Sequence, residues 1–257
     1  MNNYAGKNEL RDFLFEKAHH YEARWFIDDD PIQIPHLFSQ KEDIEIAGFL
    51  TATLAWGKRT MILSACRQLM ERMDMAPYDF IGGASHAEMA AMDGFVYRTF
   101  QNVDLVYFLK ALRNIYTDYG GLHNVFFKGY SNGGVIEGLR CFREVFLSFG
   151  APQRTGKHVA NVAKQASAKR LNMFLRWMVR RPSPVDFGLW TNVEPADLLI
   201  PLDLHVARVA RSLGILNRKQ NDLKAVLELT NHLSEMRPED PVSFDYALFG
   251  LGVYEKF

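Results

Sequence analysis

Pro201-Leu-Asp-Leu-His-Val-Ala-Arg-Val-Ala-Arg-Ser-Leu-Gly-Ile-Leu216 is the stretch on which the reading of this chain turns. Val206, Val209, Ala210 and Leu213 recur at i, i+3, i+4 and i+7, which predicts one apolar helix face. Arg208 and Arg211 fall elsewhere on the same helix, and Gly214 is placed to end it in a left-handed cap. Asp203 stands where the helix begins. Its carboxylate suits the free amides of the first turn, and the helix dipole favours a negative charge there. A purely structural cap is a complete account of that acid at this point.

Outward from this segment the chain reads as helix almost throughout. Asn8 to Ala23 turns Leu10, Phe13, Leu14 and Ala18 inward, and Asp28-Asp-Asp30 with Pro31 makes 28–42 a loop. Asp43 to Leu54, Thr60 to Met73 and Val135 to Phe149 follow as helices, with glycine pairs at 82–83, 120–121 and 133–134 as punctuation. Leu171, Phe174, Leu175 and Met178 predict a further helix headed by Lys169. No run of alternating β-branched residues lies between turn signals. The expected class is all-α.

At 257 residues and 48% hydrophobic, the chain can bury a substantial core as one domain or two lobes. No apolar stretch approaches twenty residues, and the start, Met1-Asn-Asn-Tyr-Ala-Gly6, is too polar for a signal peptide. Membrane association is not expected. Cys66 and Cys141 suit a reducing cytoplasm as structural thiols. Formal net charge is zero, but the window Lys157–Lys219 holds eleven Lys/Arg against four acids, a surplus of seven. One basic third on a neutral chain is the footprint of a phosphate-binding face or, more plainly, of solvated helix faces.

Pro201-Leu-Asp-Leu-His-Val-Ala-Arg-Val209 also resembles the acid-bearing signature of the helix–hairpin–helix DNA glycosylases, and its Ile-Pro-Leu-Asp form is similar to the archaeal 8-oxoguanine branch. Lys169-Arg-Leu-Asn-Met-Phe-Leu-Arg-Trp-Met-Val-Arg180, followed by Asp186-Phe-Gly-Leu-Trp190, is closest to an uncharacterised bacterial family of that superfamily. The resemblance implies a central helical barrel over about 43–185, with the hairpin near 159–180. Residues 1–42 and 186–257 would form a second lobe. It implies that Asp203 and Lys169 are catalytic. Lysine would attack C1′ of a damaged nucleotide, and the neighbouring cation Arg170 would favour the free amine. The two side-chain tips would lie within roughly 10 Å, with both helix N-termini aimed into one cleft.

Further roles follow from the same likeness. Ser167, Lys164, Arg170, Arg180, Arg181, His205 and Arg208 would hold phosphates of duplex DNA. Trp190, Phe187 and Asp186 would form the slot for an extruded base, and Trp56 would be pushed into the stack or lie in the core. Two departures stand out. Relatives carry Gly-x-Gly in the hairpin where this chain has Ala166-Ser167-Ala168. Endonuclease III-like members need four thiolates for an iron–sulfur cluster, and this chain has two cysteines. No cofactor or metal is expected, the state is expected to be monomeric and the location cytoplasmic. A monofunctional glycosylase in which Asp203 activates water, a DNA-binding module without chemistry and a helical scaffold remain as alternatives.

Overall fold

The structure, a computed structural model, describes residues 6–90, 92 and 94–257. The polar start from Met1 to Ala5 lies outside the described residues. The fold is all-α. In chain order the helices are α1 (Lys7–Tyr21), α2 (Trp25–Asp29), α3 (Lys41–Leu54), α4 (Arg59–Glu71), α5 (Pro77–Gly83) and α6 (His86–Ala90). They continue with α7 (Asn102–Tyr119), α8 (Leu122–Leu147), α9 (Lys169–Val179), α10 (Leu204–Ser212), α11 (Leu223–Met236) and α12 (Phe244–Val253). Among the described residues no helix is long and apolar enough to cross a membrane.

Two compact units emerge, residues 29–163 and a discontinuous one made of 1–28 with 164–257. The expected divisions near 43 and 185 fall inside these units rather than at their limits. Helix α9 therefore shares a unit with Asp203.

The continuous unit centres on α3, buried from Asp43 to Leu54. Phe49 of α3 meets Phe108, Phe142 and Phe146 at ring separations of 5.8, 5.3 and 5.3 Å, tying α3 to α7 and α8. Residues 28–42 are more ordered than a loop: Asp30 caps a single turn at Pro31–Gln33, and Pro35–Leu37 forms another. Both turns begin on proline, which pre-sets the first helical φ but cannot continue an existing helix. α8 runs through Gly133 and Gly134, but Gly134 at φ 72° kinks it, so the helix expected from Val135 is its second half. A buried carboxylate staples this unit. Asp104, 0% exposed, takes Oγ1 of Thr155 at 2.7 Å, N of Gln101 at 3.0 Å, Arg154 at 3.2 Å and Nε2 of His158 at 3.3 Å.

In the discontinuous unit α12 packs on α1 and α10. Glycines set the closeness: a methyl on Gly252 would meet Cβ of His205 at 2.9 Å, and one on Gly250 would strike the Tyr21 ring at 2.2 Å. α9 is buried on every side from Leu171 to Val179. Its four expected apolar positions are indeed inside, but so are Asn172 and Arg176, because neighbours cover the helix all round.

Candidate active site

Asp203 caps α10 as its position predicts, accepting from the amides of His205 at 2.8 Å and Val206 at 2.9 Å. Such a cap contributes about 1 kcal/mol. At the other end Gly214 takes φ 75°, and the Ile215 amide reaches back to the Ala210 carbonyl at 3.0 Å. One oxygen of Asp203 accounts for both cap bonds.

α9 begins differently. No side chain caps it, and Ala168, its N-cap residue, is left-handed at φ 51°. Gln165 is left-handed too, at φ 61°. The turn is built without glycine, at a backbone cost of about 1–2 kcal/mol per left-handed residue. Its surroundings hold it in place. Ala166 forms an antiparallel bridge with Asp222, the Leu223 amide donates to the Gln165 carbonyl at 3.0 Å, and Asn172 Nδ2 donates to the Ser167 carbonyl at 3.1 Å. Ser167 thus contributes its backbone to the turn.

Lys169 opens α9, half-buried, with Nζ 3.6 Å from Sδ of Met173. Four residues of α9 then share a face at helical spacing: Lys169, Met173, Arg176 and the C-cap Arg180. Three are cationic, and two of those are deep in the protein. Arg176 (3% exposed) pairs with Asp245 and lies 3.3 Å from Asp186. Arg180 (2% exposed) takes Asp186 at 2.6 Å, Asp240 at 2.8 Å and Glu22 at 2.9 Å. Both guanidiniums lie over the Tyr246 ring, at 4.3 and 5.4 Å. Burial alone would lower the pKa of Arg180, but Asp186 and Asp240 outweigh it and hold that pKa well above the arginine range.

Asp245 is a buried carboxyl that feels the charge at both N-termini. It is buried in α12 and its pKa is pushed up to about 6, first by burial. Arg176 opposes that shift, the Asp203 carboxylate adds to it, and the Lys169 ammonium works against it. Lys169 and Asp203 therefore lie within electrostatic reach of one buried carboxyl. The signal for Asp245 was present in the sequence, since it is the lone charged residue of Phe244–Val253. An acid in so apolar a helix needs a partner.

Several expected roles are corrected by burial. Arg180 is not a phosphate contact, because three carboxylates occupy it. Arg181 folds back on its own backbone, donating to carbonyls of Val179 at 3.0 Å, Val193 at 3.1 Å and Thr191 at 2.9 Å. Asp186 reads no base, since both its oxygens face arginines. Trp190, 1% exposed, is a core ring set edge-on to Phe174 at 5.4 Å, not a pocket wall. Phe187 is half-buried beside it, its amide on the Trp177 carbonyl at 2.8 Å. Trp56 belongs to the other unit, where Arg98 covers its ring at 4.2 Å and Tyr97 meets it edge-on. Its face is occupied rather than presented.

Other basic positions stay toward solvent. Lys164, His205 and Arg208 are exposed, Arg208 with one donor on the Gly252 carbonyl at 2.8 Å. Arg170 is half-buried, and burial draws its pKa down. The surplus of seven charges counted along the sequence is thus smaller on the surface, because Arg176 and Arg180 are spent inside. Among the described residues no group of three or more His, Cys, Asp or Glu is gathered to hold a metal ion. Cys66 is a buried thiol whose pKa burial pushes up to about 12.

An all-α chain with a lysine and an acid heading two helices defines the class only as far as its fold and site geometry. Residues 30–254 match the family described as protein of unknown function (DUF2400), and the chain belongs to that family. No curated protein and no solved structure matched the chain.

Proposed function

We propose that this protein is a DNA glycosylase of the helix–hairpin–helix type with lyase activity. It would act as a cytoplasmic monomer on duplex DNA carrying a damaged base, such as an oxidised purine like 8-oxoguanine. The observation that carries this reading is the placement of Lys169 and Asp203 at two helix N-termini within electrostatic reach of the buried Asp245. Lys169, as the free amine, attacks C1′; the bond from C1′ to the base nitrogen breaks, and the base leaves with that electron pair and takes up a proton. The amine sheds its own proton, and O4′ then leaves C1′ as a hydroxyl, giving an iminium on lysine. Asp203 offsets the positive charge that builds on the sugar while its second oxygen keeps the helix capped. Lys164, His205, Arg208 and the N-terminus of α9 supply phosphate contacts without sequence preference.

Borohydride in the presence of lesion-bearing or abasic duplex tests this directly. Hydride reduction of the iminium leaves a stable protein–DNA adduct, and Lys169→Gln abolishes it. Asp203→Asn, which still caps a helix, slows base release by roughly 10²-fold or more at nearly unchanged stability. Trapping that survives Lys169→Gln refutes the assignment of the nucleophile. Base release without trapping in the wild type turns the reading to a hydrolase in which Asp203 activates water.

A further inference from the structure

Asp245 has no part in the chemistry above, yet every element around it brings charge to the same place. α9 supplies Lys169, Arg176 and Arg180, and the N-cap of α10 supplies Asp203. Glu22, just past α1, and Asp240, just before the turn Pro241–Ser243, both reach Arg180, while Asp186 lies between the two arginines. Arg237 adds a fourth cation, 4.0 Å from Asp240. Four cations thus share this array with five acids, and fully ionised it carries one more negative charge than positive ones. A structural staple has no use for that excess, since burying uncompensated charge is expensive. A site that must accommodate a new cation has a use for it, because a fixed negative charge in a dry surrounding stabilises positive charge formed beside it.

We propose that Asp245 is a positioning residue for the Lys169–Asp203 pair: clamped by Arg176, its carboxylate supplies the negative charge against which the lysine amine becomes an iminium. The inference rests on the reading of Lys169 as the nucleophile. Arg176 is central to the arrangement. It lies between Asp245 and Asp186 and over the Tyr246 ring, so the carboxylate it holds is fixed in place while its charge is only partly cancelled. Asp245 also titrates close to the working range, with its pKa at about 6, so the negative charge felt by Lys169 falls by one as pH drops through that value.

Two measurements decide the matter. The first uses the free protein. Lysines are reductively methylated with ¹³C-formaldehyde, and the Lys169 resonance is assigned by its loss in Lys169→Gln. In the wild type that resonance has an inflection near pH 6, which Asp245→Asn removes. The second is trapping on an abasic duplex, where Asp245→Asn is slower by at least about tenfold with DNA affinity unchanged. A Lys169 resonance that passes through pH 6 without inflection overturns the proposal, and so does a variant that traps at the wild-type rate. The titration needs no DNA, and the wild-type inflection is read without Asp245→Asn, so neither misfolding of that variant nor a failure of the glycosylase reading can obscure it. An inflection in a protein that never traps DNA upholds the electrostatic link and places the failure in the proposed function.

Discussion

Each unit of this protein buries a carboxylate in its interior, and the two are treated in opposite ways. Asp104 accepts two neutral hydrogen bonds, from Thr155 and Gln101, and has Arg154 and His158 within ion-pair distance. Asp245 has one strong donor, Arg176, which it shares with Asp186, and a second carboxylate, Asp203, pushing from α10. The first arrangement is what a staple requires: neutral donors on the carboxylate and an arginine beside it. The second leaves an acid poised to change its proton. The difference separates a carboxylate held by neutral donors from one whose charge is contested by a neighbouring acid.

The comparison can be broken most sharply at Asp104. Asp104→Ala leaves Arg154, His158 and Thr155 facing a gap, and about 3–5 kcal/mol of stability should be lost. A domain of this size then melts roughly 10 °C lower by calorimetry. A loss under about 1 kcal/mol would mean that Asp104 is not the staple described here.

Asp245 should respond to pH instead. The unfolded chain releases its proton near 3.8 and the folded protein near 6, so this group's contribution to stability is fully present below 3.8 and is lost as pH rises through about 6. The total is about 3 kcal/mol. Asn cannot ionise. Thermal scans of wild type and Asp245→Asn from pH 4 to 7.5 should therefore diverge, the variant gaining on the wild type as pH rises. Parallel curves would show that Asp245 titrates normally.

A milder test removes one donor from the staple. Thr155→Val deletes the 2.7 Å hydroxyl bond and should cost about 1 kcal/mol in urea unfolding, without any pH dependence between 5 and 8. Smallest of all is the effect of Asp203→Asn on its neighbour. With one source of upward pressure gone, the pH at which wild-type-like and variant stabilities diverge should move to lower values. If it stays fixed, Asp203 and Asp245 do not communicate.

How far the sequence reached depends on whether a residue's role is decided locally. Asp203 as a cap, Gly214 as a stop and the apolar positions of α9 follow from spacing along a few turns, and all were legible. Along the sequence Arg180 reads as a phosphate contact, and of its carboxylate partners Asp186 lies close to it in the chain. Its other partners, Glu22 and Asp240, arrive from 158 and 60 residues away. Trp190 misleads for a related reason: a tryptophan between two candidate catalytic residues in sequence need not lie between them in space. The left-handed Gln165 and Ala168 carry no glycine to announce them and are held by the segment around Asp222. Asp245 was the readable omission, a lone charge in an apolar helix.

The discontinuous unit also dictates an order of events during synthesis. Lys17 of α1 is joined to Glu255 across 238 residues, and α1 buries Leu10, Leu14, Ala18 and Tyr21 largely against α12. At about 5–20 residues per second, the ribosome needs roughly 10–50 s to deliver that partner. Through that interval α1 waits with its apolar side uncovered, and residues 29–163 are complete before it ends. The interior segment can mature first, and the flanking segments close their own core only when α12 is out. Nascent-chain proteolysis would see that delay as a protected middle with cleavable α1.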